Sequence, residues 1–216
     1  MSKNLKICAA LVVSAVVALL AVASFGGDDT KVATTSGVAA SEQLVPPDSQ
    51  RLEDPPDSQA TFVEFLDLEC EACRAAFPAV EQLRDTYGDR VTFVVRYMPL
   101  HANSESAARA AEAAAEQGRF DDMYSRLFET QPEWGEQQSS QEEFFFGLAE
   151  ELGLDMERFR TVYDDPATLE RIRRDEADGR ALGVTGTPTF FLDGEKLTIA
   201  GYDDLVQQIE LAIGQS

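Results

Sequence analysis

Apolar and polar positions divide this chain into three parts. From residue 7 to residue 25 almost every position is apolar, whereas residues 26–59 are rich in Gly, Ser, Thr, Asp and Pro and have no sustained periodicity. From residue 60 onward, short apolar runs alternate with stretches of helical period, which is the pattern of a folded domain. We therefore expect one domain over residues 60–216, preceded by a linker and an N-terminal hydrophobic segment.

The domain is predicted to begin with a strand, a helix and a second strand. Residues 61–67 and 91–97 are rich in β-branched and aromatic side chains, and residues 70–87 carry a helical pattern that Gly88 ends. The unit spans about 37 residues, which is enough for two parallel strands joined by a right-handed crossover.

A block of helical pattern follows over about residues 102–182, and the chain then returns to strands. Residues 189–192 and 196–200 flank Asp193-Gly194-Glu195, a hairpin signal, and an amphipathic stretch over residues 202–213 closes the domain. The predicted order is β-α-β, a helical block and β-β-α, which is an α/β class of fold.

Residues 1–25 have the features of a targeting segment. Lys3 and Lys6 precede the apolar stretch, whose length is near the ~20 residues that span a bilayer. Ala21-Val22-Ala23 resembles a cleavage site, so one interpretation is a signal peptide that is cut near Ala23. The stretch is long for a signal peptide, which favours a membrane anchor through residues 7–25. Either interpretation places the domain outside the cytoplasm, at the cell membrane or secreted.

The linker, residues 26–59, contains an internal repeat. Pro46-Pro47-Asp48-Ser49-Gln50 recurs as Pro55-Pro56-Asp57-Ser58-Gln59. A binding epitope is one interpretation of this repeat. We prefer a semi-rigid spacer that holds the domain away from the membrane, because proline stiffens a chain.

The formal net charge of −21 limits the possible partners. A chain this acidic offers no broad basic surface for nucleic acid or for anionic lipid headgroups. We therefore expect good solubility and no nucleic-acid partner.

Three cysteines occur, and two of them form a C-x-x-C pair. Cys70-Glu71-Ala72-Cys73 follows the first predicted strand, whereas Cys8 lies in the hydrophobic segment and is interpreted there as a small apolar residue. A structural disulfide framework predicts more cysteines, and a zinc site predicts more ligands. The pair is therefore predicted to exchange a disulfide, with no metal and no cofactor.

Cys70 is predicted to be the nucleophile, because it lies where the helix begins. The unpaired N–H groups and partial positive charge of a helix N-terminus favour the thiolate. Cys73 lies one turn further in and is predicted to be the resolving thiol. Glu69 and Glu71 flank Cys70, and their charges would raise its pKa and make a less oxidising couple, unless both carboxylates face water.

Three patterns make this chain similar to the DsbA-like thiol–disulfide oxidoreductases of the thioredoxin superfamily. They are Val63-Glu64-Phe65 with four residues before Cys70-x-x-Cys73, the segment Gly183-Val184-Thr185-Gly186-Thr187-Pro188-Thr189-Phe190-Phe191, and Pro99-Leu100-His101 before an alanine-rich helix that ends in Gln117-Gly118-Arg119-Phe120. The resemblance covers residues 60–214 and implies a thioredoxin fold with a helical insertion.

The resemblance also implies roles for three further residues. Glu64 corresponds to the buried acid beneath the disulfide, which moves a proton to or from the resolving thiol, and burial would raise its pKa. Strand alternation places Glu64 on the face of Phe62, and a solvent-facing glutamate is the alternative. Thr187-Pro188 corresponds to a cis-proline segment, in which the Thr187 backbone would pair with an extended substrate chain.

Other candidate residues are expected to be structural. His101, the one histidine, is expected on the surface or at a helix cap. Trp134 and Phe144-Phe145-Phe146 are expected to pack in the helical block rather than to line a substrate groove.

The function that the resemblance implies is disulfide donation. The Cys70–Cys73 disulfide would pass to unfolded or newly exported Cys-containing proteins, and a membrane redox partner would reoxidise the pair. A reductase or an isomerase is the alternative enzyme. A peptide-binding module with a static disulfide is the alternative outside the enzymes, and the reduction potential separates these cases.

Overall fold

The computed structural model describes residues 42–214 of the chain. The predicted targeting segment and the first part of the predicted linker lie outside the described residues. The strands of the described part are β1 Gln50–Glu53, β2 Ala60–Leu66, β3 Val91–Tyr97, β4 Thr189–Leu192 and β5 Glu195–Lys196. The helices of the same part are α1 Glu71–Tyr87, α2 Ser104–Ala115, α3 Phe120–Glu129, α4 Gln131–Trp134, α5 Glu142–Glu151, α6 Met156–Asp164, α7 Pro166–Ala181 and α8 Tyr202–Ile213.

The strands form one sheet in the order β1-β3-β2-β4-β5. β2 and β3 pair in parallel and are connected by the crossover helix α1, and the other strand pairs are antiparallel. Helices α2–α7 join this β-α-β unit to the β-β-α unit formed by β4, β5 and α8. The predicted thioredoxin fold with a helical insertion is confirmed.

The side chains of β2 alternate between the two faces of the sheet. Phe62 packs against the rings of Phe93 and Phe190 on one face, which α1 and α8 cover. Phe65 lies on the opposite face, where α7 approaches so closely that a Cβ on Gly179 would come within 2.9 Å of the Phe65 ring. Both faces are covered, which explains why β2 is apolar on both sides apart from Glu64 and Thr61, which lies near the start of the strand.

The boundary between linker and domain is corrected by the structure. Residues 50–53, which were assigned to the spacer, form β1 and pair with β3 at the edge of the sheet. The preceding residues 42–44 form a helical turn, and the Leu44 side chain is buried.

Arg96 of β3 binds this N-terminal segment to the sheet, and its side chain is fully buried. Its guanidinium donates to the carbonyl oxygens of Gln43 and Leu44, both at 2.7 Å, and to two carboxylates of α7. A buried guanidinium needs acceptors on all sides, and the predicted linker supplies two of them. The folded part therefore includes residues 42–59.

The insertion has an aromatic core of its own. Trp134 and Phe145 are fully buried, with ring centroids 4.9 Å apart, and Phe146 packs on Phe159. Trp134, Phe145 and Phe146 therefore pack in the core of the insertion as expected, and Phe144 packs against that core. Within residues 42–214, no helix combines the length and the apolar character that a membrane crossing requires.

Candidate redox site

Cys70 lies at the N-terminal end of α1. It is the N-cap residue and has an extended backbone, and its sulfur meets N–H groups of the first turn, which have no partner within the helix. Both Cys70 and Cys73 are free thiols. The pKa of Cys70 is lowered to about 5, chiefly by a hydrogen bond from the Cys73 thiol. Burial opposes this shift, and Thr187 and the N–H groups of Cys73 and Ala72 add to it.

Cys73 lies one turn further along the helix and has the opposite character. Its side chain is 1% exposed, and the N–H of Asp67 lies 3.5 Å from its sulfur. Burial raises the pKa of Cys73 far above its usual value, and the neighbouring Cys70 and the charge of Glu64 raise it further. At neutral pH Cys70 is therefore a thiolate while Cys73 keeps its proton.

Glu64 lies in the centre of the sheet beneath the cysteines. It stands between Val95 of β3 and Phe190 of β4 and is 3% exposed, so the solvent-facing alternative is wrong. Burial raises its pKa to about 8, and the charges of Glu81 and Cys70 add to the increase. A carboxyl group with this pKa can give or take a proton near neutral pH.

Thr187 and Pro188 lie beside Cys70, just before β4. The peptide bond between them is cis. The carbonyl oxygen of Thr187 lies 3.5 Å from Cys70 Sγ. The fold thus brings these two segments together from opposite ends of the domain.

The two carboxylates that flank Cys70 have different surroundings. Glu71 is exposed, whereas Glu69 is buried. The Glu69 carboxylate accepts hydrogen bonds from the N–H groups of Asn103 at 2.6 Å and Glu136 at 3.0 Å. For Glu69 the water-facing alternative is wrong, because N–H groups of the insertion bind its carboxylate within the protein.

Sequence reasoning missed Asp67. Its side chain is fully buried, and one carboxylate oxygen accepts the N–H of Glu69 at 2.9 Å. The other oxygen accepts the N–H of Leu100 at 2.8 Å and lies 2.6 Å from Nδ1 of His101. An acidic residue between an apolar strand and the C-x-x-C pair was the available signal, since such a position is rarely buried without partners.

Gln131 of α4 is the second residue that was missed. Its Nε2 donates to the carbonyl oxygens of Leu68 at 2.7 Å and Cys70 at 3.1 Å. Its Oε1 accepts from Nε of Arg74 at 3.0 Å. The insertion therefore holds the loop before α1 from two sides, through Gln131 and through the partners of Glu69.

The chemistry that this arrangement permits is dithiol–disulfide exchange. It combines an accessible thiolate, a buried thiol one turn away and a carboxyl group that can handle a proton. Within residues 42–214, no group of three or more His, Cys, Asp and Glu side chains is arranged to hold a metal ion.

A family model described as thioredoxin matches residues 55–211 of this chain. Among curated proteins, the Na(+)/H(+) antiporter NhaA of Herminiimonas arsenicoxydans is 41% identical over 156 residues, which are 72% of this chain and 24% of that protein. NhaA 1 of Mycobacterium sp. (strain KMS) is 35% identical over 159 residues, 70% of this chain and 25% of that protein. The chain spans about a quarter of the length of these relatives.

Solved structures share the fold along nearly their whole length. A thioredoxin-like oxidoreductase from Silicibacter pomeroyi DSS-3 is 29% identical, with a TM-score of 0.67, and the match covers 79% of this chain and 96% of that one. BdbD from Bacillus subtilis is 24% identical with a TM-score of 0.67, covering 77% and 93%. Alpha-DsbA1 from Wolbachia pipientis is 20% identical with a TM-score of 0.69, covering 82% and 96%.

Proposed function

Because this chain belongs to the thioredoxin family and has the fold of the DsbA-like proteins, we propose that it introduces disulfides into exported proteins through Cys70 and Cys73. The contrast between the two thiols carries the proposal. Cys70 is accessible and has a pKa of about 5, whereas Cys73 is buried and its pKa is raised. Exchange depends on such a contrast, because one sulfur must meet the substrate while the other remains inside to resolve the mixed disulfide.

The proposed reaction has two exchange steps. A substrate thiolate attacks Cys70 Sγ of the oxidised enzyme, the bond between Cys70 and Cys73 breaks, and its electron pair goes to Cys73. A second substrate thiolate then attacks the substrate sulfur of the mixed disulfide, and Cys70 leaves with the electron pair as a thiolate. The substrate loses two electrons and gains a disulfide, and the enzyme becomes the dithiol.

Glu64 is the proposed source of the proton that Cys73 requires in the first step. A thiolate at the position of Cys73 is disfavoured by burial, so the step is favourable when a proton follows the electron pair. With a pKa of about 8, Glu64 holds a proton at neutral pH and can release it.

The Thr187 backbone is the proposed substrate contact. Its carbonyl oxygen stands beside Cys70 Sγ and is available to accept an N–H of an extended peptide. Pairing of this kind resembles the addition of a strand and recognises the peptide backbone rather than a particular side chain. It suits an enzyme whose substrates share a cysteine and little else.

The oxidising direction is supported by the low pKa of Cys70. A stabilised thiolate stabilises the reduced enzyme, so the disulfide is passed on more readily. A reductase or an isomerase would use the same two thiols and is the alternative enzyme. A peptide-binding module with a static disulfide is the alternative from another class.

We further propose that the domain works outside the cytoplasm, tethered by residues 7–25, with a secreted form after cleavage near Ala23 as the alternative. The apolar N-terminal sequence supports this location. The partners would be newly exported Cys-containing proteins and a membrane redox protein that reoxidises Cys70 and Cys73. Transport is not proposed, because the chain spans about a quarter of the antiporters that it matches.

The reduction potential of the cysteine pair tests the proposed function. The full chain is equilibrated with defined ratios of reduced and oxidised glutathione, and free thiols are counted after alkylation. A potential between about −120 and −200 mV supports a disulfide donor, whereas about −270 mV indicates a reductase. A potential below about −300 mV indicates a static disulfide and contradicts the proposal.

A further inference from the structure

His101 lies between β3 and α2, and its ring contacts Asp67, whose backbone contacts both cysteines. The side chain is 47% exposed, and its Nδ1 lies 2.6 Å from Oδ2 of Asp67. Because a carboxylate accepts hydrogen bonds and donates none, Nδ1 carries the proton in this contact. The second ring nitrogen, Nε2, is left to gain or lose a proton.

Asp67 connects His101 to both thiols. Its carboxylate holds the imidazole, while its backbone N–H lies 3.5 Å from Cys73 Sγ and its carbonyl oxygen accepts the N–H of Cys70 at 3.0 Å. The backbone N–H of His101 also donates to Oγ of Ser104 at 3.1 Å. The ring is thus fixed relative to α1, unlike the side chain of an ordinary exposed histidine.

The ionisable groups that face the ring are acidic. Burial lowers the pKa of His101, but the hydrogen bond and charge of Asp67 raise it, and so do the charges of Cys70 and Glu69. The balance lies above the usual histidine value. Coupling between two ionisable groups is reciprocal, so a thiolate that favours the imidazolium is favoured by it to the same extent.

We propose that His101, positioned by Asp67, provides the positive charge that stabilises the Cys70 thiolate when substrate leaves. Glu71 and Ala72, the two residues between the cysteines, carry no positive charge, whereas His101 brings an imidazole that can be protonated from the loop between β3 and α2. When the bond between Cys70 and substrate breaks, Cys70 Sγ takes the electron pair and becomes negative. The imidazolium offsets that charge, and no proton moves to the sulfur.

This inference deepens the proposed function and rests on it, but its test needs no substrate. The chain contains one histidine, so one imidazole Cε1–H resonance reports on His101 in the full chain. It is titrated by NMR from about pH 5 to about pH 9, a range that brackets the ordinary histidine value. The reduced protein should show a higher midpoint than the disulfide form, because only the reduced protein has the Cys70 thiolate. Equal midpoints overturn the inference.

A second comparison keeps the test independent of disulfide formation. The reduced wild type is compared with reduced Cys70→Ser, which replaces the thiolate by a neutral hydroxyl of similar size. The variant should show the lower His101 midpoint, and equal midpoints again overturn the inference. A pair of cysteines that cannot be oxidised would contradict the proposed function and leave this comparison intact.

The thiolate itself provides the reciprocal measurement. In His101→Gln, alkylation of Cys70 at about pH 5 should slow about threefold, the size of effect expected between partly exposed charges. His101→Lys restores a positive charge and should recover most of the rate. The pH dependence of the alkylation rate gives the pH at which half of Cys70 is thiolate. A merely structural role for His101 predicts the same value in wild type and His101→Gln, and that result overturns the inference.

Discussion

The redox site contains two cysteines whose thiols differ in pKa, because one lies on its solvent side and the other on its inner side. On the solvent side, Cys70 lies at the end of α1 beside Thr187, and its pKa is lowered to about 5. On the inner side, Cys73 lies among buried side chains near Glu64, and its pKa is raised. The two sulfurs are one helical turn apart, so the contrast comes from the helix end and from burial.

This contrast shows that the C-x-x-C pair does not assign its own roles. The spacing is symmetrical, and the direction of α1 breaks the symmetry, because N–H groups are unpaired at its first turn and paired thereafter. The inner thiol then needs a proton-handling carboxyl group, and Glu64 is the acid that lies beneath it. The outer thiol needs none, because its thiolate is stable at neutral pH.

Replacing either cysteine by serine should have the largest effect on activity. Cys70→Ser should abolish turnover of a peptide dithiol, because no accessible thiolate remains. Cys73→Ser should keep the attacking thiol and accumulate mixed disulfides, because no internal thiol releases the substrate. Non-reducing gels after incubation with disulfide-containing peptides measure the trapped species. Trapping by Cys70→Ser, or by neither variant, would reverse or remove the assigned roles.

Replacement of Glu64 tests the inner side through stability. Its folded pKa of about 8 lies above the usual 4.5, so between these values the native state holds a proton that the unfolded chain releases. Stability is therefore lost as the pH rises through this window, by about 1.4 kcal/mol per unit and on the order of 5 kcal/mol in all. Glu64→Gln has no such proton.

Urea unfolding of the reduced proteins at about pH 5 and about pH 8.5, near the two ends of the window, measures this difference. The free energy of unfolding of Glu64→Gln should rise relative to wild type between the two values. Glu71→Gln, at an exposed position, serves as the control and should show no such rise. A Glu64→Gln difference that is the same at both pH values would place the folded pKa of Glu64 near its usual value.

The carboxylates that flank Cys70 give the next effect. Glu69→Gln replaces one acceptor oxygen by an amide that faces an N–H of Asn103 or Glu136, and should cost about 2 kcal/mol of stability. Glu71→Gln should stay within about 0.5 kcal/mol of wild type, because Glu71 is exposed. Urea denaturation at one pH measures both. Equal losses would mean that Glu69 does not join the insertion to the loop before α1.

Local sequence patterns correctly predicted those strands and helices whose ends are set by residues next to them in the sequence. The second predicted strand and the last predicted helix agree with β3 and α8, because each is a clear periodic run between turn residues. Cys70-x-x-Cys73 and the Thr187-Pro188 segment were also visible as local motifs. Their meeting in space followed from the resemblance, since no local rule joins residues so far apart.

Distant contacts account for what the sequence did not reveal. Arg96 lies within an ordinary strand pattern, and only the fold shows that the carbonyl oxygens of Gln43 and Leu44 surround it. Glu69 and Asp67 look like solvent-facing acids near a turn, yet their partners lie in a loop more than 30 residues away. Residue type predicts only the average exposure of a side chain, and acidic side chains are usually exposed. Glu69 and Asp67 are buried because specific N–H groups donate hydrogen bonds to their carboxylates.

The smallest expected effect concerns Glu71 and the Cys70 thiolate. The pKa of Cys70 is lowered chiefly by the hydrogen bond from the Cys73 thiol, and the N–H groups of the first turn of α1 add to this effect. None of these groups carries a charge. An exposed carboxylate is screened by water and salt, so Glu71→Gln should change the Cys70 alkylation rate at about pH 5 by less than about twofold. Stopped-flow alkylation in low and moderate salt measures this rate. A tenfold or larger change that disappears with salt would mean that the charge of Glu71, and not the hydrogen bonds at the helix end, controls the solvent-side thiol.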